Sequence, residues 1–159
     1  MGMDVRVVGV GMVPFAKPGA SESYVEMGSK AVNAALADAG LPYSAVQQAY
    51  AGYVYGDSTC GQAVLYRTGM TGIPIVNVNN NCSTGSTALF LARQAVASGA
   101  VDCALAVGFE EMRPGALASY FPDRSAAMSR HVELMADLQE KAPKAPWSKQ
   151  SSTPLTSIE

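Results

Sequence analysis

Residues 73–97 run from an apolar stretch through a polar turn into a helical stretch, and this order constrains everything around it. Ile73-Pro74-Ile75-Val76-Asn77-Val78 reads as a strand, interrupted early by Pro74. Asn79-Asn80-Asn81-Cys82-Ser83-Thr84-Gly85-Ser86 reads as a turn, and residues 88–97 as a helix. A strand feeding a helix through a short turn is half of a βαβ unit, so its neighbours should alternate in the same way. Cys82 falls at the end of the turn, close to the positive end of the coming helix, where a thiolate is stabilised. Ser83, Gly85 and Ser86 are small and leave room for a bulky substrate to reach the sulfur.

The remaining segments meet that demand. Residues 5–10 are rich in valine and end at Gly9, Gly11 and Pro14, which predicts a first strand. Ser21 or Ser23 caps a helix over residues 24–39, with Glu22 and Glu26 favourable near its start and Gly40 at its end. Ser44 opens a short turn. Residues 49–55 form a second strand, residues 62–67 a short helix and residues 73–78 the third strand. The helix over 88–97 is interrupted only by Arg93 and Gln94, which predicts burial nearly all round. Residues 102–109 are apolar on both faces, as at the centre of a covered sheet. The expected fold is therefore α/β, a layered sheet of about four strands covered by helices, with right-handed crossovers.

After Glu110-Glu111-Met112 the pattern loosens. Residues 113–130 are loop-rich, and residues 131–141 are helical, with Val132, Met135 and Leu138 on one face. Residues 142–159 are rich in Pro, Ser and Lys and read as a disordered tail. The expected division is a core over residues 1–115, a looser segment over 116–141 and a tail over 142–159.

Composition excludes several classes. A net charge of −2 with no basic stripe argues against nucleic-acid binding. Three widely spaced cysteines and a single histidine do not make a zinc site, so no metal is expected. No run reaches the roughly 18 apolar residues of a membrane span, and no secretory leader is recognised. Gly9-Val10-Gly11-Met12-Val13-Pro14 begins like a dinucleotide fingerprint, but Pro14 stands where the third glycine belongs. The protein is expected to be soluble and intracellular.

Among chemically able residues, Cys82 reads either as a nucleophile for acyl transfer or as a small buried hydrophobe. Cys60, in a Gly-bounded loop, reads better as a packed thiol, and Cys103 as core. His131 is the only imidazole, and a solvated role fits it best. Glu110 and Glu111 follow a strand end, where ligand sites of α/β sheets gather. They suit a substrate role, or capping and loop hydrogen bonds, equally.

The order of several motifs resembles one family. These are Val8-Gly9-Val10-Gly11-Met12, Pro42-Tyr43-Ser44-Ala45-Val46, Gly56-Asp57-Ser58-Thr59-Cys60-Gly61-Gln62, Gly69-Met70-Thr71-Gly72-Ile73-Pro74, the Cys82 turn and Gly108-Phe109-Glu110-Glu111-Met112. Together they resemble the N-terminal part of a thiolase of the sterol-carrier-protein-X type, also called a lipid-transfer protein, over residues 5–135. The resemblance implies a thiolase-like half whose last strand follows a loop domain that begins near residue 116. It implies that Cys82 is the acyl-accepting nucleophile and that its backbone N–H contributes to an oxyanion hole. It implies thiolysis of 3-oxoacyl-CoA, or the reverse condensation, with coenzyme A as thioester substrate and no bound cofactor.

The catalytic histidines and a second cysteine of that family lie in its second half, so the chain is expected to be truncated and inactive alone. Its implied partners are an acyl-CoA and either a second copy or the missing C-terminal half. The alternatives are a non-catalytic half-thiolase that binds acyl-CoA or a partner, or a thiolase-like steroid side-chain aldolase. The implied compartment is cytoplasmic in a bacterium. In a eukaryote it would be the peroxisome, although Thr156-Ser157-Ile158-Glu159 is not a peroxisomal address.

Overall fold

The computed structural model describes residues 4–114, 121 and 123–141. The chain divides after Pro114 into two units. In the first, the element order is α1 (Tyr24–Ala39), a 3-10 turn (Tyr43–Ala45), β1 (Gln48–Gly52), α2 (Cys60–Leu65), β2 (Ile75–Val78), α3 (Thr84–Ala97) and β3 (Ala104–Gly108). The three strands form one parallel sheet in the order β2-β1-β3.

Side-chain alternation along the strands builds two layers of core. Ala49 and Ala51 of β1 and Val107 of β3 face α1 and α2, where they pack with Val32, Val64, Leu65 and Phe109. Tyr50 faces the other way, onto Ala88, Ala92 and Ala95 of α3. Helices thus cover both faces of the sheet, as expected for parallel strands.

The caps explain the bounds of α1. The Ser23 hydroxyl oxygen accepts from Glu26 N–H at 3.3 Å, and Glu111, 87 residues on, accepts from Tyr24 N–H at 2.9 Å. At the far end Gly40 takes the left-handed conformation, φ 65°, and closes the helix.

Three expectations need correction. Residues 5–10 are not a strand of the sheet, which has three strands rather than four. This segment runs along α1 instead. Val10 N–H donates to Asp38 at 2.9 Å, and Gly9 and Gly11 lie so close to α1 that a Cβ would stand 2.3 Å from Ala35 O and 2.2 Å from Ala31 O. Valine content marks an extended segment, but a strand also needs an open neighbour, and Val7, Val8 and Val10 remain exposed.

The second correction concerns residues 102–109. Their strand, β3, stands at an edge, and β1 is the centre. The third concerns α3, which buries only Thr84, Ala88, Ala92 and Ala95. Leu89 and Phe90 are each 55% exposed. Apolar composition shows that a helix is able to be buried all round, not that this chain supplies both covers.

The second unit contains α4 (Ser129–Lys141), with Val132, Met135 and Leu138 exposed. Before it, the Arg124 guanidinium lies 4.8 Å from the Phe121 ring centroid and pairs with Asp123. The expected tail over 142–159 lies outside the described residues. Among the described residues, no helix is long and apolar enough to cross a membrane.

Candidate active site around Cys82

The turn that carries Cys82 is fixed from below by glycines and from the side by Thr84. Gly52 ends β1 and Gly108 ends β3, and the two are register partners. The first residues of α3 rest on this pair. A Cβ on Gly52 would stand 2.7 Å from Thr84 O, and one on Gly108 would stand 3.3 Å from Gly85 Cα. Backbone packs on backbone here because no side chain intervenes.

Thr84 then ties α3 to the end of β2. Its hydroxyl donates to Val78 O at 2.6 Å and its oxygen accepts from Asn80 N–H at 3.2 Å. Between them, Asn81 takes φ 49°, a left-handed conformation that asparagine tolerates better than most residues. Ser83 and Thr84 N–H groups donate back to Asn80 O and Asn81 O. Cys82 emerges from this closed turn with an exposed thiol, its sulfur 3.8 Å from Asn81 Oδ1.

The other two cysteines are placed differently. Cys60 is 2% exposed, and its thiol donates to Asp57 O at 3.1 Å. Tyr53 completes that loop: its hydroxyl donates to Asp57 O at 2.9 Å and accepts from Cys60 N–H at 3.3 Å. Burial pushes the Tyr53 hydroxyl above the ordinary tyrosine range. Cys103 is half-buried, and desolvation pushes its thiol up as well.

Glu110 and Glu111 are occupied by main chain. Glu110 Oε2 accepts from Val54 N–H at 2.9 Å and Oε1 from Tyr55 N–H at 2.8 Å, so one carboxylate grips both amides just beyond β1. Glu111 caps α1. Phe109, immediately before them, stacks on Tyr24 at 5.6 Å and on Tyr53 at 5.3 Å. His131 lies exposed on α4, in the other unit.

A cleft of about 280 Å³ opens beyond the ends of β1 and β2. Tyr53, Asp57, Ser58, Asn77 and Asn79 are among the residues that line it. Asn77 is itself anchored, accepting from Gly61 N–H at 2.8 Å and donating to Gln62 at 2.7 Å. Among the described residues, no group of three or more His, Cys, Asp or Glu is arranged to hold a metal ion.

Sequence reasoning missed Thr84 and the glycine pair. The signal for the glycines was there, since an isolated glycine at a strand end marks a close approach of backbone. Thr84 had no such signal, because its hydroxyl partners are set by how α3 docks.

The parallel sheet is covered on both faces, and an exposed cysteine stands on the turn into a helix seated on the strand ends. Residues 5–142 match the thiolase N-terminal domain, and the chain belongs to the thiolase family. Within it, the chain is 61% identical to sterol carrier protein 2 of Gallus gallus over 133 residues, covering 82% of this chain and 24% of that protein. It is 46% identical to non-specific lipid-transfer protein-like 2 of Caenorhabditis elegans over 138 residues, covering 84% of this chain and 34% of that one. It thus spans about a quarter to a third of the length of these relatives. Among solved structures, β-ketoacyl-[acyl-carrier-protein] synthase III from Thermus thermophilus shares the fold. Its TM-score is 0.52 at 21% identity, covering 69% of this chain and 34% of that one.

Proposed function

We propose that Cys82 is the nucleophile of a thiolase-type acyl transfer from a coenzyme A thioester. The observation that carries this reading is the exposed Cys82 thiol on a closed turn at the start of α3, in a chain of this family. In the proposed step, the Cys82 thiolate attacks the thioester carbonyl and a new carbon–sulfur bond forms. The bond from that carbonyl to the coenzyme A sulfur breaks, and the departing thiolate takes a proton from solvent. The Cys82 N–H is proposed as one donor to the oxyanion formed during attack.

Complete turnover needs a base for the second half-reaction. The sequence holds one histidine, His131, which belongs to the second unit, and both carboxylates after β3 are engaged by main-chain N–H groups. We therefore expect this chain alone to accept an acyl group without catalysing turnover. A second reading, a half-thiolase that binds a partner, is favoured by the exposure of Leu89 and Phe90 and by the unpaired edge of β3.

Intact-mass analysis after incubation with acetyl-CoA tests the first reading. One acetyl adduct on Cys82, absent from Cys82→Ala, is expected, together with no cleavage of acetoacetyl-CoA. Adducts confined to Cys60 or Cys103 would sink the nucleophile assignment. Turnover of acetoacetyl-CoA that Cys82→Ala abolishes would instead overturn the expected inactivity of the chain alone.

A further inference from the structure

We infer that Glu110 is a positioning residue for Cys82, an inference that rests on the nucleophile reading above. The connection is a short mechanical path through the backbone. Thr84 and Gly85 rest on Gly52 and Gly108, so the height and tilt of the Cys82 turn depend on how the ends of β1 and β3 are held together. The β1–β3 ladder ends there with Phe109 N–H donating to Gly52 O at 3.1 Å, while on the β2 side Tyr53 N–H still donates to Val78 O at 3.3 Å.

Glu110 takes over at that point. It stands two residues past Gly108 on the β3 side and holds the amides of Val54 and Tyr55, two and three residues past Gly52 on the β1 side. Each of its oxygens accepts one N–H, a charge-assisted pair of bonds in a partly buried place. The carboxylate thus continues the β1–β3 pairing by one side chain, two residues beyond the glycine pair on which α3 rests. It also fixes the segment after β1 that contributes Tyr53, Val54 and Gly56 to the lining of the cleft. With both oxygens occupied, Glu110 acts through the turn rather than as a base on substrate.

The test compares the full 159-residue chain with Glu110→Ala and Glu110→Gln. Iodoacetamide labelling at neutral pH is read by peptide mass spectrometry, and the Cys103 rate in the same molecule serves as reference. Hydrogen exchange at Val54 and Tyr55 reports the grip itself. In Glu110→Ala the Cys82-to-Cys103 rate ratio should fall about two- to fivefold, the size of a helix-terminus effect on charge at an exposed position. Glu110→Gln keeps one carbonyl acceptor and should recover part of the loss.

An unchanged ratio in Glu110→Ala, with faster exchange at Val54 and Tyr55, overturns the inference. Equal ratios in the Gln and Ala variants do so too, as does a rise in both, which would mean that only the carboxylate's charge matters. If Glu110→Ala fails to fold, Glu110→Gln carries the comparison alone, and the same unchanged or raised ratio counts against the role. A wild-type Cys82 that labels no faster than Cys103 is a separate result, one that overturns the nucleophile reading on which the inference stands.

Discussion

Gly85, near the start of α3, packs directly against Gly108 at the end of β3, with room for a methyl group on one side of the contact but little on the other. A Cβ on Gly85 would meet Gly108 Cα at 3.9 Å, an ordinary contact, whereas one on Gly108 would meet Gly85 Cα at 3.3 Å. The neighbouring seat is tighter still, because a Cβ on Gly52 would stand 2.7 Å from Thr84 O. The seat of α3 is therefore set by the strand ends and not by the helix.

That asymmetry gives a paired prediction. Gly52→Ala should cost about 1–3 kcal/mol, since main chain on both sides must move to admit the methyl group. Gly85→Ala should be neutral or stabilising by up to about 1 kcal/mol, because alanine is the better helix former and the contact is open. Urea unfolding of the two variants checks this. Equal losses would mean that α3 docks more loosely than the contacts indicate.

The N-terminus of α1 offers a second case. Ser23 satisfies the Glu26 amide locally, while Glu111 reaches Tyr24 from 87 residues away. Ser23→Ala should cost about 0.5–2 kcal/mol, the usual worth of such a cap. Glu111→Ala should also destabilise, and additionally loosen the stack of Phe109 on Tyr24. A double-mutant cycle should show coupling between Ser23 and Glu111, because both hold the same helical turn. Strict additivity would show that the two caps act independently.

These two caps also show what the sequence made legible. Gly40, the bounds of α1 and a serine cap at Ser21 or Ser23 followed from local chemistry, because a cap and its helix lie within a few residues of each other, and the structure selects Ser23. The Cys82 turn was legible for the same reason. For Glu111 capping stood level with a substrate role, and which helix it caps was hidden, since its partner amide is brought near only by folding. The failure over residues 5–10 has the same origin: valines and glycines specify an extended chain, but Ala31 and Ala35 of α1 decide where it lies. The edge position of β3 was also hidden, because apolar alternation reports which faces are covered and not how many neighbours a strand has.

Tyr53 makes stability depend on alkaline pH. Its hydroxyl is raised chiefly by burial; Tyr43 is raised for the same reason, and Tyr24 chiefly by its hydrogen bond with Cys60. A pKa higher in the folded state than the ordinary value of about 10 favours the neutral form on folding. The stabilisation is complete below about pH 10 and is lost as pH rises through the folded-state values. Melting temperature should thus fall slowly above about pH 9, where the raised Cys103 thiol begins to count, and more steeply above about pH 10 as the tyrosines add to it. Tyr53→Phe should lower neutral stability by about 1–3 kcal/mol, leaving Cys60 N–H without its acceptor, and should make the alkaline fall shallower. A fall of unchanged steepness would assign the alkaline loss to other groups.

The three thiols give the last prediction, an order of reactivity set by exposure and desolvation. Cys82 is exposed, Cys103 is half-buried with its thiol raised by burial, and Cys60 is 2% exposed with its thiol donating to Asp57 O. Alkylation needs both the thiolate and a path for the reagent. Iodoacetamide at neutral pH should therefore modify Cys82 first, Cys103 next and Cys60 last. Labelling of Cys103 should quicken steeply as the solution becomes alkaline, since its thiolate is scarce until then. Cys60 should stay unlabelled until the loop held by Tyr53 opens, so Tyr53→Phe should speed Cys60 more than either other cysteine. Site-resolved mass spectrometry over time reads all three rates from one sample. Early modification of Cys60 in the wild-type chain would show that this loop opens in solution and that the Tyr53 bonds do not hold it.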